Sequence, residues 1–143
     1  MSYLLDTCVI SEFVARQPNE KVVSWLAQLE PDAVFLSVVT LGEIQKGIDK
    51  LPASKRKEEL RLWLKDDLLV RFHDRLLPLQ TGEMLAWGTL ISGVEAKGTP
   101  MPLIDSLIAA TALHHDLVVV TRDEEDFAPS GARLLNPWKE APR

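Results

Sequence analysis

Four acidic residues in this 143-residue chain stand in unusually apolar company. Asp6 closes the short run Tyr3-Leu4-Leu5, Glu43 interrupts the stripe formed by Leu41, Ile44 and Ile48, Asp105 is flanked by Ile104, Leu107, Ile108 and Ala109, and Asp123 follows Val118-Val119-Val120-Thr121. Each has an ordinary explanation when taken alone. Asp6 can cap the helix that follows it, Asp105 can complement the positive end of a helix dipole, and Asp123 can serve a turn. If the four converge, charge becomes the issue: two carboxylates about 4 Å apart repel by roughly 4 kcal/mol at an effective dielectric of about 20, a large part of a typical domain's stability. Protons, a lysine or a metal ion must relieve that repulsion, and no lysine lies in any of the four segments. Carboxylate oxygens alone favour a hard ion, Mg²⁺ or Mn²⁺, over zinc. Ions held this way lower the pKa of water and stabilise the attacking and leaving oxygens of a phosphodiester. Other reaction chemistries lack their residues: the sequence holds no Gly-rich phosphate loop, no Ser-His-Asp order and no Cys-His pair.

The elements that must bring these acids together alternate along the chain. Short apolar or β-branched runs at 2–6, 33–36, 76–79, 118–120 and 132–135 read as strands. Between them lie helical patterns: one from Thr7 through Val14, one carrying Val22, Val23, Leu26 and Leu29, and one capped by Ser37 with Leu41, Ile44, Ile48 and Leu51 inward. A charged helix spans 55–72 with Leu60, Trp63, Leu64, Leu68 and Phe72 inward. Another spans 81–97, and one starts near Leu103 after Pro102 and runs to His114. Strands separated by helices predict right-handed crossovers and a central, mostly parallel sheet between helical layers, a three-layer α/β/α sandwich. Ligands of such sheets bind beyond the carboxyl ends of the strands. Asp6 and Asp123 both fall at strand ends, on that same rim.

The whole chain, 1–143, is expected to form one such domain. Its composition, 46% hydrophobic and 26% charged, fits neither a disordered tail nor a membrane protein. The N-terminal apolar run is too short for a signal or a span, and the single Cys8 can form neither an internal disulfide nor a Cys-based zinc cluster, which predicts a cytoplasmic protein. The net charge of −5 is a poor match to phosphate-bearing partners. Local neutralisation by divalent ions answers that objection, as does a basic face. The run Lys46, Lys50, Lys55, Arg56, Lys57, Arg61 and Lys65 is either such a face or a solvated helix surface mixed with Glu58, Glu59, Asp66 and Asp67. Arg122 is a phosphate contact or a surface ion-pair former. His114 and His115 end a helix, where positive charge is favoured, and Trp25, Trp63, Trp87 and Trp138 fall mainly on apolar faces as core or interface residues.

The segments Leu4-Leu5-Asp6-Thr7, Glu43 in its helix, Asp105-Ser106-Leu107-Ile108-Ala109-Ala110-Thr111-Ala112, and Thr121-Arg122-Asp123 with Asp126-Phe127 resemble, in order and spacing, the four signatures of PIN-domain nucleases. The likeness extends over nearly the whole chain. Within that family the chain is most similar to VapC-type toxins, and the ending Leu134-Leu135-Asn136-Pro137-Trp138 adds to it. The resemblance implies a PIN-like fold and an endoribonuclease dependent on Mg²⁺ or Mn²⁺, the toxin of a toxin–antitoxin pair. It also implies a homodimer and a tight complex with a VapB-type antitoxin in which a peptide, often basic, occupies the acidic groove; the composition predicts no membrane partner. Carried over by position, Asp6, Glu43, Asp105 and Asp123 form the catalytic and metal-holding site, Asp6 and Asp105 ligate directly, and Asp126 is a further outer acid. Thr7, Ser11 and Thr121 orient carboxylates or water, or else Thr7 and Thr121 serve as turn and capping residues. The leucine-rich helices at 22–29 and 60–72 suit antitoxin contacts or belong to the core. One position departs from the family: Cys8 stands where Asn or Ser is usual, a weak donor beside the first acid. Two rival readings remain at this level. A phosphatase or phospho-acceptor receiver domain also puts an Asp at a strand end, but here no Asp lies two residues after Asp6 and no lysine closes the site. The other is a catalytically weak domain that only holds an antitoxin.

Overall fold

In a computed structural model, described over residues 1–139, five parallel strands form one sheet in the order β3-β2-β1-β4-β5. The strands are β1 (Tyr3–Leu5), β2 (Val34–Ser37), β3 (Leu76–Leu77), β4 (Val118–Val120) and β5 (Leu134–Leu135). The two shortest, β3 and β5, are the edges, where a short strand limits the unpaired backbone on offer. The expected parallel sheet between helices is therefore present, while the last four residues of the expected 1–143 domain, 140–143, lie outside the described part.

Alternation along the strands splits the apolar residues between two cores. In β1, Leu4 faces one side and Leu5 the other, and parallel pairing aligns Leu4 with Val119 and Leu5 with Val120. Leu5, Val34, Leu36 and Val120 join Val9, Ile10, Ile44, Ile48, Leu64, Leu68 and Phe72 in the first core. Leu4 and Val119 join Leu90, Val94, Ile108, Ala109, Ala110, Ala112 and Phe127 in the second. With both faces covered the strands are apolar apart from Tyr3 and Ser37, as buried parallel strands are.

The first helical layer holds α1 (Thr7–Glu12), α2 (Glu20–Ala27), α3 (Val38–Asp49), α4 (Lys55–Trp63) and α5 (Leu69–Arg71). Asn19, Ser37 and Ser54 cap α2, α3 and α4 through their side chains. The helix expected over 55–72 is not uniform: a π turn, Leu64–Leu68, separates α4 from α5. The spacing supplies a reason. Leu60, Leu64, Leu68 and Phe72 recur every four residues, and an α-helix turns about 400° in four residues, so this stripe drifts about 40° per step. A wider turn absorbs the drift and keeps Leu64, Leu68 and Phe72 buried.

The second layer holds α6 (Thr81–Ala96), α7 (Leu103–His115) and the short α8 (Glu124–Phe127). Ala109, Ala110 and Ala112 let α7 approach its neighbours closely, and Ile108 is fully buried among them, a contribution of roughly 1.5–3 kcal/mol. Trp87 of α6 donates its indole N–H to Ser106 Oγ of α7 at 3.0 Å, and Ser106 Oγ donates in turn to the Leu103 carbonyl. That chain fixes the rotation of α7, and with it the direction of Asp105 one residue away. Trp25 packs edge-on to Tyr3, so the tryptophans sit in or against the cores, as their apolar settings predict.

Candidate active site

Three structural decisions assemble the acids. The first is the crossing of β1 and β4 side by side: the Asp6 N–H donates to the Val120 carbonyl and the Thr121 N–H to the Leu135 carbonyl, which seats Asp6 and Thr121 together at the carboxyl edge. The second is the start of α1. Asp6 is its N-cap, accepting the Thr7 N–H on Oδ1 at 2.8 Å, so the capping reading and the site reading of Asp6 hold at once. The third is α7, whose first turn carries Asp105 over the same edge.

Asp6 is almost wholly buried, at 4% exposure. Its Oδ2 accepts the Thr121 hydroxyl at 2.8 Å and, more weakly, the Cys8 thiol at 3.5 Å. Thr121 is thus a relay: the same oxygen accepts the Asp123 N–H at 2.9 Å, tying the second strand-end acid to the first. Thr7 donates its hydroxyl to Glu43 Oε1 at 2.6 Å, anchoring the acid that α3 contributes. Both threonines therefore orient carboxylates. Ser11 lines the adjoining cavity with Thr7, Glu43 and Trp63 but makes no hydrogen bond to an acid among the described residues.

The charges respond to this crowding. Burial raises the carboxyl of Asp6 above its ordinary range, and Asp123 adds to the rise, although hydrogen bonds from Thr121, Thr7 and Cys8 pull against it. Asp105 is pushed up to about 7, first by burial and then by the charges of Asp6, Asp126, Glu43 and Asp123. The other three acids singled out from the sequence, with Asp126, are thus near enough to Asp105 for their charges to raise its carboxyl. None of the ion pairs among the described residues involves any of these five. The Cys8 thiol is pushed up to about 12, by burial and then by Asp6. At neutral pH it is a protonated, weak donor.

The donor set fits a divalent cation. Asp6, Cys8 and Asp123 each bring a ligand atom within 4.8 Å of the others, and a buried carboxylate beside an exposed one, neither in an ion pair among the described residues, is what a hard ion would neutralise. The basic run fits less well with an open phosphate-binding face. Arg56 is tied to the Val14 carbonyl, Lys57 to the Asp49 and Leu51 carbonyls, and Arg61 to Glu58. Lys46, Lys50, Lys55 and Lys65 stay exposed. Arg122 forms no ion pair among the described residues, and its guanidinium lies 5.0 Å from the Trp138 ring centroid. Sequence reasoning missed Asn136, fully buried, which donates to Glu124 Oε2 and accepts the Trp138 N–H. It also missed the pair formed by Glu83 and His115, for which the spacing Gln80-x-x-Glu83 was a legible capping-box signal.

A parallel α/β sheet with an acidic cluster at its carboxyl edge, compatible with a divalent metal, defines the class: an acidic-site α/β protein. Comparison with known proteins then narrows the class to one family. The family model "PIN domain" matches residues 3–128, and this chain belongs to the PIN domain family. The toxin FitB of Neisseria gonorrhoeae is 37% identical over 137 residues, covering 96% of this chain and 99% of that protein. The VapC ribonuclease Y4jK of Sinorhizobium fredii is 31% identical over 138 residues, covering 96% and 99% respectively. Among solved structures, FitAcB from Neisseria gonorrhoeae superposes with a TM-score of 0.92 at 37% identity, covering 96% of this chain and 99% of that one. VapBC2 from Rickettsia felis, bound to a DNA fragment from its promoter, gives 0.78 at 25% identity, covering 95% and 98%.

Proposed function

We propose that this chain is a divalent-metal-dependent endoribonuclease, the toxin of a VapBC-like toxin–antitoxin pair, acting as one domain in the cytoplasm as a homodimer. The observation that carries the reading is the crowding of acids around Asp105, whose carboxyl is pushed up to about 7 by burial and then by the charges of Asp6, Asp126, Glu43 and Asp123. Relatives over nearly the full length named ribonuclease or toxin point the same way. Among the described residues, no helix is long and apolar enough to cross a membrane.

Asp6, Asp105, Glu43 and Asp123 would hold Mg²⁺ or Mn²⁺, with Asp6 and Asp105 the direct ligands. When bound, such an ion supplies Lewis acidity, lowering the pKa of water and offsetting charge on the phosphodiester oxygens. The chain's own residues do the positioning. Thr121 holds Asp6 Oδ2 and the Asp123 backbone in one geometry, and Thr7 holds Glu43. Asp6, buried and hydrogen-bonded on both oxygens, cannot swing away from the pocket. Asp105, whose carboxyl is pushed up to about 7 without an ion, would give up its proton where a cation is held.

An apolar groove of about 380 Å³ between the two leucine-rich helical regions would suit antitoxin contacts. Phe13, Val23, Leu26 and Phe72 line it, with Arg71 and Arg75 beside them. Incubating the purified chain with RNA and either Mg²⁺ or Mn²⁺ tests the nuclease reading. Cleavage that is abolished by EDTA and by Asp6→Asn is expected. RNA left intact with both ions, together with growth inhibition that Asp6→Asn does not relieve, would leave a binding module in its place.

A further inference from the structure

At the opposite end of α7 from Asp105, three potential metal ligands meet on two elements. Glu83 lies in the first turn of α6, and His114 and His115 are the last two residues of α7. Each brings one ligand atom within 4.8 Å of the other two. His115 Nε2 is 2.7 Å from Glu83 Oε2, and the His114 and His115 rings meet edge to face with centroids 4.8 Å apart.

The packing around this cluster is specific. Glu83 is buried, at 5% exposure, and its second oxygen, Oε1, is already committed to the Gln80 N–H. Oε2 is therefore the oxygen left facing the histidines. Burial opposes ionisation of this carboxyl, yet hydrogen bonds from its own backbone N–H, from His115 and from Gln80 hold it below the usual carboxylate range, so it is charged at neutral pH. No lysine or arginine pairs with it among the described residues; its side-chain partner is His115. Gly82 leaves room for the His114 ring, which a Cβ at that position would strike. His114 also lines an open groove of about 650 Å³ with Gly82, Leu113 and Pro129, so the cluster is reached from solvent.

We propose that Glu83, His114 and His115 form a second metal site, for a borderline transition ion such as Zn²⁺, that clasps the start of α6 to the end of α7. Two imidazoles and one carboxylate are ligands of zinc rather than of magnesium, and three protein ligands leave a fourth position for water. Bonds of about 2.0–2.1 Å in a tetrahedron separate ligand atoms by about 3.4 Å. The 2.7 Å contact of His115 with Glu83 opens by about 0.7 Å on binding, and the His114 nitrogen moves inward by a side-chain rotation. His114 and His115 follow Asp105 by nine and ten residues on one helix, a separation of roughly 14–15 Å along its axis. The site is thus distinct from the acidic pocket and shares no ligand with it.

Isothermal titration of the purified chain with ZnCl₂, in excess Mg²⁺ to occupy the acidic pocket, tests this. One zinc per chain is expected, with a rise in melting temperature, and both persist in the Asp6→Asn/Asp105→Asn protein. His114→Ala weakens zinc at least about tenfold. So does His115→Gln, which keeps a donor for Glu83 and therefore the fold, and circular dichroism of both variants checks that they are folded. Failure to bind zinc, equal affinity in wild type and both folded histidine variants, or loss of binding in the Asp6→Asn/Asp105→Asn protein each overturns the proposal.

Discussion

Replacing Asp105 by Asn should stabilise the ion-free protein at the expense of its ion site. In the folded chain the Asp105 carboxyl is pushed up to about 7, against 3.8 ordinarily, by burial and by four neighbouring acids. Between those values the folded state carries a proton that the unfolded state has lost. Stability therefore falls as pH rises from about 4 to about 7 and is flat above. About three units correspond to about 4 kcal/mol of penalty above pH 7. The pocket is open to water and the group only partly buried, so screening reduces this to about 2 kcal/mol. Urea denaturation in EDTA from pH 4 to 8 provides the measurement. Wild type should lose stability across that window relative to Asp105→Asn, whose curve is flatter, and the variant should be the more stable protein at pH 8. With Mg²⁺ or Mn²⁺ present the order reverses, because only wild type gains the binding energy of the ion. If Asp105→Asn is as unstable as wild type at pH 8 in EDTA, the acids do not repel one another and the reading of the pocket fails.

Thr121→Val removes the hydroxyl shared by Asp6 Oδ2 and the Asp123 N–H. It should cost about 1.5–3 kcal/mol in chemical denaturation and weaken Mn²⁺ about 10–100-fold by calorimetry; unchanged Mn²⁺ affinity would show that Thr121 is only a turn residue. Cys8, with its thiol pushed up to about 12, should resist a disulfide reagent at pH 8 in the native ion-free protein and react at once when unfolded in urea. Prompt stoichiometric labelling of the native chain would contradict its placement against Asp6.

Much of the site could be read locally. Asp6, Asp105 and Asp123 announce themselves because a carboxylate beside valines, leucines and isoleucines is costly to bury. Glu43 does so because it breaks an apolar stripe of α3. Thr7 and Thr121 were open to two readings, since a hydroxyl beside an Asp serves a turn or a second carboxylate equally well; the side-chain contacts with Glu43 and Asp6, 36 and 115 residues distant, decide for the carboxylates. Part of the basic run was open for the same reason, and packing commits Arg56 and Lys57 to backbone carbonyls while Lys46, Lys50, Lys55 and Lys65 stay exposed.

What the chain's order of residues determined by itself was the alternation of strand and helix, the parallel sheet and the carboxyl edge as the place for chemistry, because side-chain period and crossover handedness are local properties of the backbone. The drift that makes the π turn at Leu64–Leu68 was written in the four-residue spacing of Leu60 to Phe72, but became a turn only against the sheet that those residues cover. Tertiary structure alone decided which charges feel one another. Proximity of Asp105 to Asp6 and Glu43, and of Glu83 to His115, depends on how α7 is rotated and packed, and electrostatic energy depends on distance and burial, which no single segment contains.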